Sequence, residues 1–216
     1  MDIAISLIVL IVSIIAHEVA HGYAADALGD PTARYAGRLT LNPVPHIDLM
    51  GSLLIPGLLM FSGSPILFGW AKPVPYNPYN LRNQRWGEGL VAVAGSATNL
   101  LLAIIFALVV RFGSTPLATG GTVLPETALM IAGTIAFVNL FLGLFNLIPF
   151  PPLDGFTVLA RTMPWRASRG LEQFEAKIRS AGPMALILFL LVFSFVFAGP
   201  FFTFISWLFR LLTGTV

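Results

Sequence analysis

The sequence predicts an all-α polytopic membrane protein with four full transmembrane helices and a re-entrant hydrophobic segment. Of its 216 residues, 56% are hydrophobic and only 10% are charged, whereas soluble domains carry about 25% charged residues. Four apolar stretches approach the roughly 20 residues that a membrane-spanning helix needs, namely residues 3–26, 89–111, 128–149 and 181–198. We therefore expect the whole chain, residues 1–216, to form one multi-pass domain whose surroundings are the lipid bilayer.

The composition also excludes several classes of protein. The formal net charge is +2 and no block of Lys and Arg occurs, so a nucleic-acid partner is not expected. The chain has no cysteine, which excludes disulfides and thiolate metal sites. The first residues, "MDIAISLIVL", lack the basic region that begins a secretory signal. They predict a retained first helix.

A fifth apolar stretch, residues 49–70, is predicted to enter the membrane and return on the same side. Pro56 and Gly57 divide it into pieces of about ten residues, which are too short to span alone. If it crossed, the 12 Lys and Arg would divide eight to four between the two sides, whereas a re-entrant course divides them ten to two. The positive-inside rule favours the re-entrant course. It places residues 27–88 and the connection at 150–180 in the cytoplasm, and both termini outside.

The first predicted span ends in the motif "HEVAH", residues 17–21. On a helix, His17 and His21 lie on one face about one turn apart, a spacing at which two neutral imidazoles bind one Zn²⁺ ion. Glu18 lies beside the first imidazole and can take a proton from water. The alternative is a helix end whose polar residues reach the membrane interface. That alternative is weak because ionisable side chains within a span are costly unless they are paired.

A catalytic zinc site needs a third protein ligand and an open position. The best candidate is Asp154 in "FNLIPFPPLDG", residues 145–155, where the third span gives way to three prolines. The prolines stop the helix, and Gly155 permits a sharp turn that directs the carboxylate back into the bundle. The alternative is an exit loop with an Asp-Gly turn.

The two motifs together resemble those of the site-2 protease family of intramembrane zinc metalloproteases, in its compact branch without a PDZ domain. The family's second signature, Asn-x-x-Pro-x-Pro-x-Leu-Asp-Gly, is matched by "NLIPFPPLDG", residues 146–155, and the resemblance covers about residues 3–160. It implies one zinc ion held by His17, His21 and Asp154, with Glu18 as the catalytic carboxylate. A further family pattern, Gly-Pro-x-x-Asn, occurs here as "GSATN", residues 95–99, with Ser96 in place of the proline.

The resemblance also implies the fold around the site and the substrate. The family has a re-entrant β-structure, so short β-structure is expected near the active site. A strand edge within "ILFGWAKPVPYN", residues 66–77, could hold an unwound substrate segment by β-augmentation, with Asn146 or Asn99 bonding its freed backbone groups. The alternative for this stretch is an inert cytoplasmic connector. The expected substrate is a transmembrane protein, cleaved from the cytoplasmic side of a bacterial or archaeal cell membrane in regulated intramembrane proteolysis.

The role of His46 and the overall activity of the chain each leave two alternatives open. His46 lies outside the zinc motif in "NPVPHIDLMG" and is either an interfacial histidine or a gating ligand at the open zinc position. The competing function is a catalytically silent membrane scaffold, or a metal carrier that uses the same His/Asp site. Carriers usually show internal repeats and a silent protein would most simply lack Glu18, so proteolysis is favoured.

Overall fold

The structure, a computed structural model, describes residues 3–54, 58, 61, 71–116 and 122–215. Within these residues the chain is mostly helical and contains no sheet, and its β pairing is an isolated bridge between Pro116 and Thr122. Its α-helices are α1 (Ile3–Ala27), α2 (Thr32–Tyr35), α3 (Gln84–Gly113), α4 (Glu126–Asn146), α5 (Asp154–Thr162), α6 (Trp165–Ser180), α7 (Pro183–Val192) and α8 (Ala198–Thr213).

Short 3₁₀ and π segments connect these helices. The 3₁₀ turns are Val44–His46 and Pro78–Asn80, and the π-helical turns are Leu49–Leu54 and Phe193–Phe197. Most of the predicted re-entrant segment lies outside the described residues. Residues 71–77, the described part of the expected strand, form neither a helix nor a paired strand, so the expected short β-structure does not occur there.

Four helical stretches are long and apolar enough to cross a membrane, as the sequence predicted. They are Ala4–Ala27, Gln84–Gly113, Glu126–Asn146 and Met184–Thr213. The last extends beyond the predicted span at 181–198 through residues 201–212, an extension that the sequence left open, because Pro200 does not end the helix. The π turn Phe193–Phe197 directly precedes α8, and such turns accommodate a disturbed helical hydrogen-bond ladder.

Helix α3 is central to the bundle and packs against α1, α4, α5 and α8. Its contacts with α1 and α4 use small or polar buried residues, among them Ala92, Gly95 and Ser96. Small residues let membrane helices approach closely. Helix α8 is fixed to α3 and α4 by an apolar cluster around Ala103, Leu140 and the fully buried Ile205.

The end of α1 and the beginning of α3 lie beside each other. The backbone N–H of Arg82 donates to the carbonyl of Leu28 at 3.0 Å. Residues 28 and 82, which flank the long connection between these helices, are therefore at the same end of the bundle.

The connection predicted at 150–180 contains two helices at that same end. Arg161 of α5 forms ion pairs with Glu88 of α3, at 2.6 Å, and with Glu172 of α6, at 2.7 Å. The apolar face of α6 packs through Phe174 against Phe156 of α5. These contacts fix α5, and with it Asp154 at its first residue, against the central helix.

Candidate metal centre

Three side chains from distant parts of the chain converge within the bundle. His17 and His21 come from the last turns of α1, and Asp154 begins α5. The Nε2 atom of His17 lies 3.0 Å from Asp154 Oδ2 and 3.0 Å from His21 Nε2, and His21 Nε2 lies 3.4 Å from Asp154 Oδ2. These three residues form a group that could hold a metal ion.

The separations fit a small tetrahedral cation. Zinc binds imidazole nitrogen and carboxylate oxygen at about 2.0–2.2 Å, and tetrahedral geometry then places neighbouring ligand atoms about 3.3–3.5 Å apart. Two histidines and one aspartate supply three protein ligands and leave a fourth position open, which is the pattern of catalytic rather than structural zinc sites. The donor set and its spacing therefore fit zinc.

Hydrogen bonds on the far side of each imidazole orient the two rings. His17 Nδ1 donates to Asn99 Oδ1 at 2.6 Å, and His21 Nδ1 donates to the carbonyl oxygen of Val91 at 2.7 Å. A ring that carries its proton on Nδ1 presents the lone pair of Nε2, which is the form that binds a metal. Both Nε2 atoms point into the group.

Asp154 completes the group with a carboxylate oxygen, Oδ2, that faces the Nε2 atoms of both rings. Ser96 adds a hydroxyl that donates to Asp154 Oδ2 at 3.4 Å. A carboxylate so close to two ring nitrogens needs positive charge among the three atoms, which a metal ion supplies.

A buried polar network lies behind His17. The Nδ2 of Asn99 donates to Asn139 Oδ1 at 2.8 Å, and the Nδ2 of Asn139 donates to Ser13 Oγ at 2.8 Å and to the Ile135 carbonyl. Asn99 and Asn139 are both fully buried. The network fixes the Asn99 amide so that its oxygen faces His17. Sequence reasoning assigned Asn99 to substrate and missed Asn139 and Ser13, whose only signal was a polar residue within each apolar span.

Gly95 gives the two imidazoles their space. A Cβ atom at this position would lie 2.5 Å from His21 Nε2 and 2.7 Å from His17 Cε1, which is closer than non-bonded atoms approach. The backbone of α3 therefore packs directly against both rings. Gly95 belongs to the motif "GSATN", but the sequence alone gave it no role.

The remaining predicted site residues are not among the three converging side chains. Glu18 is half-buried on α1 beside His17, and its Oε2 accepts a hydrogen bond from the Val74 N–H at 3.0 Å. Asn146 donates to the Leu142 carbonyl at 3.0 Å, within its own helix rather than towards the three-residue group.

His46 is not brought to the group. It is buried, with an exposed fraction of 2%, and its Nε2 donates to the Thr40 carbonyl at 2.9 Å while Nδ1 faces Arg38 at 3.5 Å. Both ring nitrogens are thus directed at the connection after α2. This geometry gives no support to the expected gating ligand.

Comparison with known proteins agrees with this geometry. The model of the family described as peptidase family M50 matches residues 113–191. The chain is 39% identical over 190 residues to "Putative zinc metalloprotease YwhC" of Bacillus subtilis, which covers 86% of this chain and 78% of that protein. It is 32% identical over 206 residues to a Mycobacterium tuberculosis protein of the same description named Rip2, covering 93% of this chain and 71% of that one. No solved structure matches the chain.

Proposed function

Because the chain belongs to peptidase family M50, the site-2 protease family of zinc metalloproteases, we propose that it hydrolyses peptide bonds within or next to transmembrane segments of membrane proteins. The observation that carries this proposal is the convergence of His17, His21 and Asp154 inside a bundle of membrane-spanning helices. His17 lies 14 residues after Ile3, or about 21 Å along α1. In a hydrocarbon core of about 30 Å, that depth is within the membrane.

In this proposal the three converging residues hold one zinc ion and Glu18 is the general base. A bound zinc ion supplies Lewis acidity, which makes water a nucleophile near neutral pH and polarises the scissile carbonyl. Glu18 accepts the proton of the attacking water and passes it to the leaving amine. Asn99 and Val91 hold the two imidazoles in the tautomer that the site needs. Asn146, near the end of α4, is available to bond substrate backbone once its bond within the helix is exchanged.

We further propose that the site is open to the cytoplasm and that residues 49–70 form a re-entrant segment. The hydrogen bond between Arg82 and Leu28 supports this course, since both flanks of the connection lie at one end of the bundle. The charge distribution supports the same orientation, because ten of 12 Lys and Arg then face the cytoplasm. A substrate helix must unwind before its carbonyls can be attacked. We expect the segment at 66–77 to hold the unwound chain and the reaction to serve regulated intramembrane proteolysis.

The test is cleavage of a single-span membrane protein by purified chain reconstituted in liposomes. Glu18→Gln should keep one zinc ion per chain and lose turnover, because the amide cannot accept the proton. Glu126→Gln, at the exposed first turn of α4 on the opposite end of the bundle, is the matched control and should cleave like the wild type. If Glu18→Gln cleaves as fast as the control, the role of Glu18 is wrong.

The natural substrates can be sought with the same pair of variants. Membrane peptides that accumulate in cells expressing Glu18→Gln, and disappear with Glu126→Gln, are identified by mass spectrometry. Accumulating peptides from soluble proteins alone would contradict cleavage of membrane proteins.

A further inference from the structure

Three buried polar residues outside the proposed catalytic group all contact one segment that belongs to neither a helix nor a strand. Asp30 is fully buried, and Arg38 and His46 have exposed fractions of 6% and 2%. Each is costly to bury unless it is bonded. The segment they contact is residues 71–77, "AKPVPYN", which we call the strap.

The strap is fixed at both of its ends. Near its beginning, the Lys72 N–H donates to the His46 carbonyl at 2.9 Å, and the Lys72 carbonyl accepts from Arg38 Nη2 at 2.5 Å. At its end, the Asn77 N–H donates to Asp30 Oδ2 at 2.6 Å. Asp30 is itself held by hydrogen bonds from Thr32 and Asn80. These backbone hydrogen bonds near both ends leave the strap little freedom to shift.

The middle of the strap contacts the carboxylate of Glu18, the proposed general base. The Val74 N–H donates to Glu18 Oε2 at 3.0 Å, and Val74 has an exposed fraction of 6%. A Cβ atom on Gly22 would lie 2.9 Å from Val74 Cγ1, so this glycine lets the strap lie against α1. Both neighbours of Val74, Pro73 and Pro75, lack an N–H. Val74 therefore supplies the only N–H in the stretch 73–75, and that N–H points to Glu18.

We propose that Val74 is a positioning residue for the general base. Its N–H fixes one oxygen of Glu18 and leaves the other for the proton that the reaction removes. The prolines favour an extended backbone at and before Val74. The hydrogen bonds between the strap and Asp30 and Arg38 hold the strap where the Val74 N–H reaches Glu18. This inference rests on the proposed role of Glu18, and it gives the strap a task in the resting enzyme that is separate from holding substrate.

The first test removes this N–H while keeping the extended backbone. Val74→Pro deletes the donor, and Val74→Ala, which shortens the side chain but keeps the donor, is the matched reference. We expect kcat of Val74→Pro to be at least about tenfold below that of Val74→Ala, since a positioned donor to a charged group contributes that much or more. KM and zinc content should be the same in the two variants. Equal kcat values would overturn the proposal.

The second test does not depend on activity. Backbone hydrogen exchange of the zinc-loaded wild type should show a protected Val74 amide. Glu18→Ala should raise the exchange rate of the Val74 amide at least tenfold while the Lys72 and Asn77 amides, bonded at the strap's ends, keep theirs. Unchanged Val74 exchange in Glu18→Ala overturns the contact on its own. A wild type that never cleaves membrane proteins would instead overturn the proposed function.

Discussion

Adding one methyl group at Gly95 should impair zinc binding and turnover without destabilising α3, the helix to which Gly95 belongs. In Gly95→Ala the new Cβ would lie 2.5 Å from His21 Nε2, 2.6 Å from His21 Cε1 and 2.7 Å from His17 Cε1. Non-bonded carbon contacts are comfortable at about 3.5 Å or more, so the rings must withdraw by about 1 Å. Active-site groups have to be held within about 0.5 Å, and a displacement of 1 Å costs about 100-fold in rate.

The expected result is a loss of zinc affinity of at least about tenfold, comparable to removing a residue that orients a metal ligand, and a loss of turnover of about 100-fold. Zinc affinity is measured by competition with a chelator, and turnover by cleavage in liposomes. Gly199→Ala is the control, because nothing lies within 4 Å of its Cβ position on α8. Alanine stabilises a helix by about 0.5–1 kcal/mol relative to glycine, so helix propensity acts in the opposite direction. Wild-type affinity and turnover in Gly95→Ala would refute the close approach of α3 to the rings.

Three other predictions test the surroundings of the site. Asn139→Leu removes the buried amide behind the His17 imidazole and leaves the hydrogen-bond partners of that amide unpaired. The change should lower the free energy of unfolding by about 1–3 kcal/mol, which is measured as a lower thermal midpoint in detergent. An unchanged midpoint would contradict this role of Asn139. Single cysteines at the exposed positions Tyr35 and Arg82 should both label from the cytoplasm and one at Glu126 from the other side, and labelling of the first two on opposite sides would exclude the re-entrant course. Burial raises the pKa of Asp30, but hydrogen bonds from Thr32, Asn80 and Asn77 outweigh burial and lower this pKa below its usual value. Ionised Asp30 therefore stabilises the fold above the unfolded pKa of about 3.9. Wild type should be more stable than Asp30→Asn at pH 7, and the difference in stability should shrink as the pH falls below about 4. A gap independent of pH would contradict that account.

The sequence allowed prediction of what depends on local pattern. Runs of apolar residues predicted the four spans, since length and hydropathy are properties of one segment. The i,i+4 spacing predicted that His17 and His21 share a face, and helix geometry delivers this without help from the rest of the chain. Asp154 could be found because three prolines end the preceding helix close to it.

What the sequence could not reveal depends on contacts between distant residues. The bond from Val74 to Glu18 joins residues 56 positions apart, and the bond from Asn139 to Ser13 joins residues 126 apart. No periodicity encodes such pairs. Packing likewise directs the His46 ring to Thr40 and Arg38, contacts that the sequence around His46 did not reveal.

The turn of α3 at residues 95–99 explains why a family pattern can change at one position and still serve the site. Within this turn, Gly95 makes room for both imidazoles, Ser96 donates to Asp154, and Asn99 accepts from His17. A proline at position 96, as in the family pattern, would have neither a hydroxyl nor an N–H. Here the hydroxyl of Ser96 contacts the carboxylate oxygen that also faces His17 and His21. One helical turn therefore contacts all three candidate ligands, so α3 organises the candidate metal centre although none of these three residues belongs to it.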